Sequence, residues 1–399
     1  MRFEKDWGRL GLRYKNLSDF SIGKGTYGIS ASAVGKDDNL PTYLRITDIN
    51  DDGTINFASL KSVDRSDADK YRLQPNDIVF ARTGGSTGRS YFYDGKDGEF
   101  VFAGFLIKFS IDPQKCIPKF IKYYCQSREY YNWVASFNTG STRGNINAKT
   151  FEKMPIPDLP LEQQQLIVDI LSPIDDKIEN NKKINHHLVA ISKNYLKIFY
   201  SSNSIKLGDI FELKSGYAFK SKDWVDEGKP VIKIKDIDGI TIDITNLNYV
   251  KNKSQLSKAS NFEVFGKEIV MALTGATTGK IGVIPKNFNG YVNQRVGLFY
   301  AKTELSYAVL WSILQQQNII TDLIKLSSGS AQANLSPFSV NSYDLNVTFK
   351  DLIELDKVLS PLYELFCFNL SEIQRLSKLR DTLLPKLLSG ELSVNQAIK

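Results

Sequence analysis

LPLEQQQLIVDILSPIDDKIENNKKINHHLVAISKNYLKIFY, running from Leu159 to Tyr200, sets its apolar residues at alternating steps of three and four. Ile167, Leu171, Ile174 and Ile178, then Ile184, Leu188, Ile191, Tyr195 and Ile198, fall on one face, the pattern of a long helix with one buried side. Near the C-terminus Leu352, Leu355, Leu359, Leu362, Phe366, Asn369, Ile373, Leu376, Arg380 and Leu383 keep the spacing of a coiled-coil seam. Both stretches contain Leu-Ser-Pro, and Leu359 lies 188 residues after Leu171. The chain therefore reads as a tandem repeat in which each copy ends in a long helix.

The repeat extends through the rest of each copy. Leu17-Ser18-Asp19-Phe20 returns as Leu207-Gly208-Asp209-Ile210, and Tyr43 to Ile49 returns as Val231 to Ile237. Asp77-Ile78-Val79-Phe80-Ala81-Arg82-Thr83-Gly84 returns as Glu268-Ile269-Val270-Met271-Ala272-Leu273-Thr274-Gly275. Gly140-Ser141 with Asn145-Ile146 returns as Gly329-Ser330 with Asn334-Leu335, just ahead of each long helix. The offsets stay between 188 and 191, so one fold is duplicated with different surface residues. The resulting division is an N-terminal segment 1–16, a domain 17–158, a central helix 159–203, a second domain 204–349, and a distal helix with tail 350–399.

A length of 399 residues suits two globular units plus connecting helices. A 42% hydrophobic and 12% aromatic composition is that of a folded protein. No apolar run reaches membrane-spanning length, and Met1 to Asp6 lack the apolar core of a signal peptide, so a cytoplasmic protein without membrane contact is expected. Cys116, Cys125 and Cys367 show no CxxC spacing and read as buried free thiols. The net charge of +7 leans toward a polyanionic partner.

Within each copy, 43–49, 78–81, 101–109, 231–237, 269–273 and 292–300 read as strands, and 118–134 and 306–326 as helices. Strands and helices do not alternate, so the fold class is α+β. Each domain should hold a twisted, mainly antiparallel sheet plus helices. The two long helices are expected to pack as an antiparallel coiled coil with pseudo-twofold symmetry. About 40 helical residues make a rod of roughly 60 Å, a spacer. Pro173 and Pro361 should kink or restart the helices. Asn181 and Asn369 occupy equivalent seam positions otherwise filled by apolar residues, and polar seam residues fix register, so they are expected to approach each other.

Chemistry is sparse. Gly275-Ala276-Thr277-Thr278-Gly279-Lys280 and Gly84-Gly85-Ser86-Thr87-Gly88-Arg89 have three residues between glycines where a phosphate loop has four. Each lies between two expected strands, as a turn whose small and hydroxyl residues can approach a phosphate or base edge. His186 and His187 are adjacent on a helix and diverge, so they cannot chelate together. The chain has no Pro-Pro, hence no Asn-Pro-Pro-Tyr-like methylation motif, and no nuclease-like carboxylate cluster follows Pro157-Asp158. The sequence does not read as catalytic.

Leu159-Pro160-Leu161-Glu162-Gln163-Gln164, then Ile170-Leu171-Ser172-Pro173-Ile174-Asp175-Asp176-Lys177-Ile178-Glu179-Asn180-Asn181, and the closing Leu383 to Leu392 resemble the specificity subunit of type I restriction–modification enzymes. The resemblance covers essentially the whole chain. It departs where Asp344-Leu345-Asn346-Val347-Thr348 replaces Met154-Pro155-Ile156-Pro157, which obscures the start of the distal helix. The resemblance implies two target recognition domains, each reading one half of a bipartite asymmetric site in double-stranded DNA, with the helix pair as the ruler between half-sites. It implies docking to two methyltransferase subunits and, for restriction, two restriction subunits. S-adenosylmethionine, ATP and Mg would belong to those partners and none to this chain.

By position in the repeat, expected DNA contacts in the first domain are Arg45, Thr83, Gly84, Ser86, Thr87, Arg89, Ser141, Thr142, Arg143 and Asn145. In the second they are Lys233, Thr274, Gly275, Thr277, Thr278, Lys280, Gln294, Arg295, Ser330, Gln332 and Asn334. Arginine and lysine suit guanine, asparagine and glutamine adenine. Two rival readings are a specificity module of a related fused or phage-defence methyltransferase system, and a coiled-coil scaffold that reads no DNA. Exposed helix seams leave room for self-association of the isolated chain.

Overall fold

The computed structural model describes residues 13–137, 144–326 and 334–392. It falls into two compact units, residues 1–174 with 378–399, and residues 175–377. Each unit holds one domain and part of each long helix.

In the first unit, the strands Ser21–Tyr27, Leu106–Ile111, Asp77–Ala81 and Ser90–Tyr93 form an antiparallel sheet in that order. A smaller sheet sets Thr42–Leu44 antiparallel to Lys61–Ser62 and parallel to Val101–Phe102. The second unit repeats the plan. Phe211–Ser215, Val296–Ala301, Ile269–Ala272 and Ile281–Val283 make the antiparallel sheet. Lys229–Ile232 pairs in parallel with Asn289–Val292 in the smaller one. Mixed sheets with helices gathered elsewhere in the chain give the α+β class expected from the sequence.

Three expected elements are broken in both copies. The strand expected at 43–49 ends at Leu44, and a short 3-10 turn, Ile46–Asp48, follows; Ile234–Asp236 does the same in the second copy. Aspartate is the cause, because Asp48 and Asp236 each accept the backbone N–H three residues back, which closes the turn. The strand expected at 101–109 is interrupted at Ala103–Phe105, and that at 292–300 at Asn293–Arg295. In both, the chain turns through an N–H to carbonyl bond, Leu106 to Ala103 and Val296 to Asn293, each 2.8 Å. The helices expected at 118–134 and 306–326 are each two helices, Pro118–Tyr124 with Arg128–Ala135 and Tyr307–Leu314 with Gln317–Leu326. Ser127 caps the second of the first pair by accepting from the Tyr130 N–H.

The central helix runs Leu161–Ile198 and the distal helix Phe349–Leu388. Both continue through their prolines, so neither Pro173 nor Pro361 restarts a helix. The serine of each Leu-Ser-Pro ties its helix to its own domain: Ser172 Oγ lies 3.2 Å from the Tyr123 hydroxyl, and Ser360 Oγ 3.0 Å from Ser306 Oγ. The departure before the distal helix keeps the strand and adds a cap. Asp344–Leu345 still pairs with Ile205–Lys206, as Pro155–Pro157 pairs with Tyr14–Asn16. Thr348 then exchanges hydrogen bonds with Asp351, a capping box that starts the helix without proline.

In the first unit Ile167, Val168 and Leu171 of the central helix pack with Leu384, Leu387 and Leu388 of the distal helix. In the second unit Leu188 and Leu196 join Leu352, Leu355, Leu359, Phe366 and Leu370 in one core around Trp311. The pairing is antiparallel there, since Asn181 donates to Glu372 at 2.7 Å and Asn369 donates to Asn185 at 2.9 Å. Asn181 and Asn369 are both buried, but each bonds a residue about one turn away from the other rather than forming the direct pair expected. The hydrogen bond from Asn181 holds Glu372 below the usual glutamate range. The seam also departs from the heptad reading. Ile191, Tyr195 and Ile198 are exposed, and the buried line runs through Asn185, Leu188, Ser192 and Leu196. Ser192 is small enough to let the helix Tyr307–Leu314 approach until Ser312 donates to its carbonyl at 2.9 Å.

All three cysteines are free and buried. Burial pushes Cys116 and Cys367 up to about 12 and Cys125 well above its usual value. None should react with a thiol-specific disulfide reagent in the native protein at pH 8, and all three should react in denaturant. A fast native reaction would contradict this packing.

Candidate nucleic-acid interface

In each domain three backbone segments converge at the end of the larger sheet. In the first, the Arg82 N–H donates to the Phe105 carbonyl at 3.0 Å, and the Ile146 N–H donates to the Arg82 carbonyl at 2.9 Å. In the second, the Leu273 N–H donates to the Arg295 carbonyl at 3.0 Å, and the Leu335 N–H to the Leu273 carbonyl at 2.8 Å. Thr83 bridges Asn145, and Thr274 bridges Asn334. The frame is thus the same atom for atom in its main chain. It brings together the glycine loop, the turn after the smaller sheet, and the segment that leads into each long helix.

The glycine loops are short 3-10 turns joining antiparallel strands, at Gly84–Ser86 and Gly275–Thr277. Gly84 and Gly275 take φ of +76° and +84°, the left-handed region glycine allows without strain. The Thr87 hydroxyl donates to the carbonyls of Gly84 and Gly144 at 2.8 and 3.0 Å, and Thr278 repeats the first bond at 2.7 Å. Thr277 Oγ1 lies 3.5 Å from the Ile234 carbonyl. Ser86 is buried, and Thr274 Oγ1 is enclosed with no protein hydrogen-bond partner among the described residues. These hydroxyls and backbone groups shape the loop. Of the expected contacts that are described, Lys280, Asn145, Asn334, Gln294 and Arg295 are the exposed side chains. Ser141, Thr142, Arg143, Ser330 and Gln332 lie outside the described residues.

Two expected contacts are committed inside their own domain. Arg45 donates to both oxygens of Asp48, from Nε at 2.9 Å and Nη2 at 2.7 Å, and to the Ser59 carbonyl at 2.6 Å. Arg89 donates to Asp51 at 2.6 Å and to the Ile49 carbonyl at 3.0 Å. Lys233, the counterpart of Arg45, instead places its ammonium 3.9 Å from the centre of the Trp224 ring. Burial there pushes the lysine below its ordinary value.

Among the described residues no cluster of histidine, cysteine and carboxylate side chains could hold a metal, and no helix is long and apolar enough to cross a membrane. The family model for the type I restriction modification DNA specificity domain matches residues 17–189 and again 201–347. The chain belongs to this family. It is similar to the MjaIX type I restriction enzyme specificity subunit of Methanocaldococcus jannaschii, with 24% identity over 70% of each chain. It is also similar to the HindI specificity subunit of Haemophilus influenzae, with 21% identity over 81% of this chain and 88% of that one. The crystal structure of the type I restriction-modification system S subunit from M. genitalium shares the fold, at a TM-score of 0.56 and 18% identity over 95% of this chain and 96% of that chain.

Two residues of this specificity-family frame, Arg82 and Tyr27, lie outside the expected contacts. Arg82 stacks its guanidinium 5.0 Å from the Tyr27 ring centre and reaches Asn145 Oδ1 at 3.3 and 3.4 Å. Tyr27 is held in turn by the Ala148 N–H, which donates to its hydroxyl at 3.1 Å. The repeat offered a signal for Arg82, since it immediately precedes Thr83. Its partner in the other copy, Leu273, is buried, and that mismatch hid it.

Proposed function

We propose that this chain is the non-catalytic specificity subunit of a type I restriction–modification system, with each domain reading one half of a bipartite, asymmetric site in double-stranded DNA. The observation that carries the reading is the duplicated frame. Its main-chain hydrogen bonds are the same in both copies, while the side chains it presents differ: Arg82 with Asn145 in one, Gln294, Arg295, Lys280 and Asn334 in the other. A shared scaffold with diverged donors suits two unlike half-sites, since phosphate contacts position a protein and base-edge contacts specify. Adenine methylation, ATP hydrolysis and cleavage, with S-adenosylmethionine, ATP and Mg, belong to partner subunits. The paired long helices set the spacing between half-sites and dock two methyltransferase subunits. Leu365 and Phe368, 43% and 53% exposed on the distal helix, supply apolar area for that docking. The complex acts in the cytoplasm.

The test is to map methylated adenine in cells that carry this chain with its neighbouring methyltransferase subunit, against cells lacking it. A split motif with a modified adenine in each half is the expected result. An active methyltransferase that leaves no such motif would favour a scaffold that reads no DNA.

A further inference from the structure

The turn between the two sheets sets a different kind of residue on the same perch in each domain. Ala103-Gly104-Phe105 and Asn293-Gln294-Arg295 are equivalent: the first N–H of each donates to the end of the smaller sheet, at Leu44 and Ile232, both 2.9 Å. The last carbonyl of each accepts from Arg82 or Leu273. Where the second domain presents Arg295, the first presents Phe105, a large apolar side chain 60% exposed. Its backbone is pinned further by the Gly104 N–H, which donates to the Ile29 carbonyl at 2.8 Å. The ring is therefore held out on a short, fixed turn. Arg82, whose backbone N–H donates to the Phe105 carbonyl, carries its guanidinium on the Tyr27 ring, so a positive charge belongs to the residue paired with this turn.

Resting on the reading of the domain as a DNA reader, we infer that Phe105 specifies a base by packing its ring on the C5-methyl group of a thymine in the major groove. A phenylalanine offers no hydrogen bond, and the thymine methyl is the apolar group that the major groove displays on base edges. The pinned turn brings the ring to a base edge without opening the duplex. The neighbouring Arg82 keeps N–H groups for a phosphate or a guanine edge next to that thymine. The two domains then read by different chemistry from one position, apolar contact at Phe105 and hydrogen bonding at Arg295.

The experiment uses the full chain in complex with its methyltransferase subunits and duplexes carrying the mapped split motif, with binding followed by fluorescence anisotropy. Replacing the thymines of the first half-site by uracil, which removes only the methyl, should weaken wild-type binding about tenfold, the size of one lost base contact. Phe105→Ala should weaken binding to the thymine duplex by a similar factor and be indifferent to uracil. Because Phe105 is exposed, the variant should keep its fold, checked by circular dichroism. Equal wild-type affinity for thymine and uracil duplexes overturns the inference. A variant weakened on a site where wild type ignores uracil would point to stacking instead, which also overturns it. Wild-type binding with no preference for the split motif would bring down the DNA-reading function itself, an outcome distinct from the others.

Discussion

Gly28→Ala should cost the first domain about 3 kcal/mol, the upper end of the range for overpacking, and Gly216→Ala should do the same to the second. A Cβ at Gly28 would sit 2.2 Å from the Phe102 carbonyl oxygen and 2.4 Å from that of Ala103. At Gly216 it would meet the carbonyl oxygens of Val292 and Asn293 at 2.5 and 2.6 Å. All four are main-chain atoms in sheets and turns, so no side chain can swing aside. The neighbouring contacts explain the closeness, because Ile29 and Tyr217 donate to the carbonyls of Phe102 and Val292 at 2.9 and 3.0 Å. Gly84→Ala is the control. It has φ of +76° and nothing within 4 Å of the added carbon, so only the left-handed backbone penalty of about 1 kcal/mol applies. Urea titrations followed by tryptophan fluorescence and near-ultraviolet circular dichroism would rank the three. Equal losses at Gly28 and Gly84 would remove the close-approach argument. Because Gly28 backs the turn that carries Phe105, a folded remnant of Gly28→Ala should also bind DNA with altered preference.

Much of this architecture was legible in the chain, and what was not has physical causes. The duplication needed only matched residues at a steady offset, and the long helices needed only periodicity. Those features survive because each is written many times over. The breaks at Ala103–Phe105 and Asn293–Arg295 were hidden because Val101 to Phe109 is apolar enough to pass for one strand. What breaks it is a set of hydrogen bonds to Leu44 and Ile29, far away in sequence. Ile191 and Tyr195 fit a heptad as well as Ser192 does not, yet Ser192 is the buried one, since helix approach there is decided by Ser312. Periodicity says which residues share a face. It does not say which neighbour covers that face. Phe105 is hard to read for a related reason: residue type points to hydrogen-bond donors as DNA contacts, and an exposed phenylalanine side chain carries none.

Arg45→Ala should destabilise the first domain by about 3 kcal/mol while leaving the recognised sequence unchanged, and Lys233→Ala should spare the fold and weaken DNA binding. Asp48 is fully buried, and Arg45 supplies three of its hydrogen bonds, from the backbone N–H, Nε and Nη2. Deleting the guanidinium leaves a carboxylate out of water with only the Arg45 backbone N–H, now that of the alanine, and the Ser59 hydroxyl. Breaking a buried pair costs about 3–5 kcal/mol; the lower figure applies because the arginine is about a quarter exposed. Lys233 has the same place in the repeat and a different role. Its cap on Asp236 is made by the backbone N–H, which an alanine keeps. Its ammonium rests on the Trp224 ring, an arrangement worth about 0.5–1 kcal/mol. Truncation should therefore spare the fold and remove one cation from the face proposed to meet DNA. Binding should weaken for all sequences alike if that cation sits on a phosphate, and the salt slope should fall by about one. If Arg45→Ala instead bound DNA poorly with its unfolding midpoint intact, Arg45 would have to be a reader. The equivalence of Arg45 and Lys233 in sequence would then extend to their function, and the Asp48 pair would be a resting place that DNA displaces.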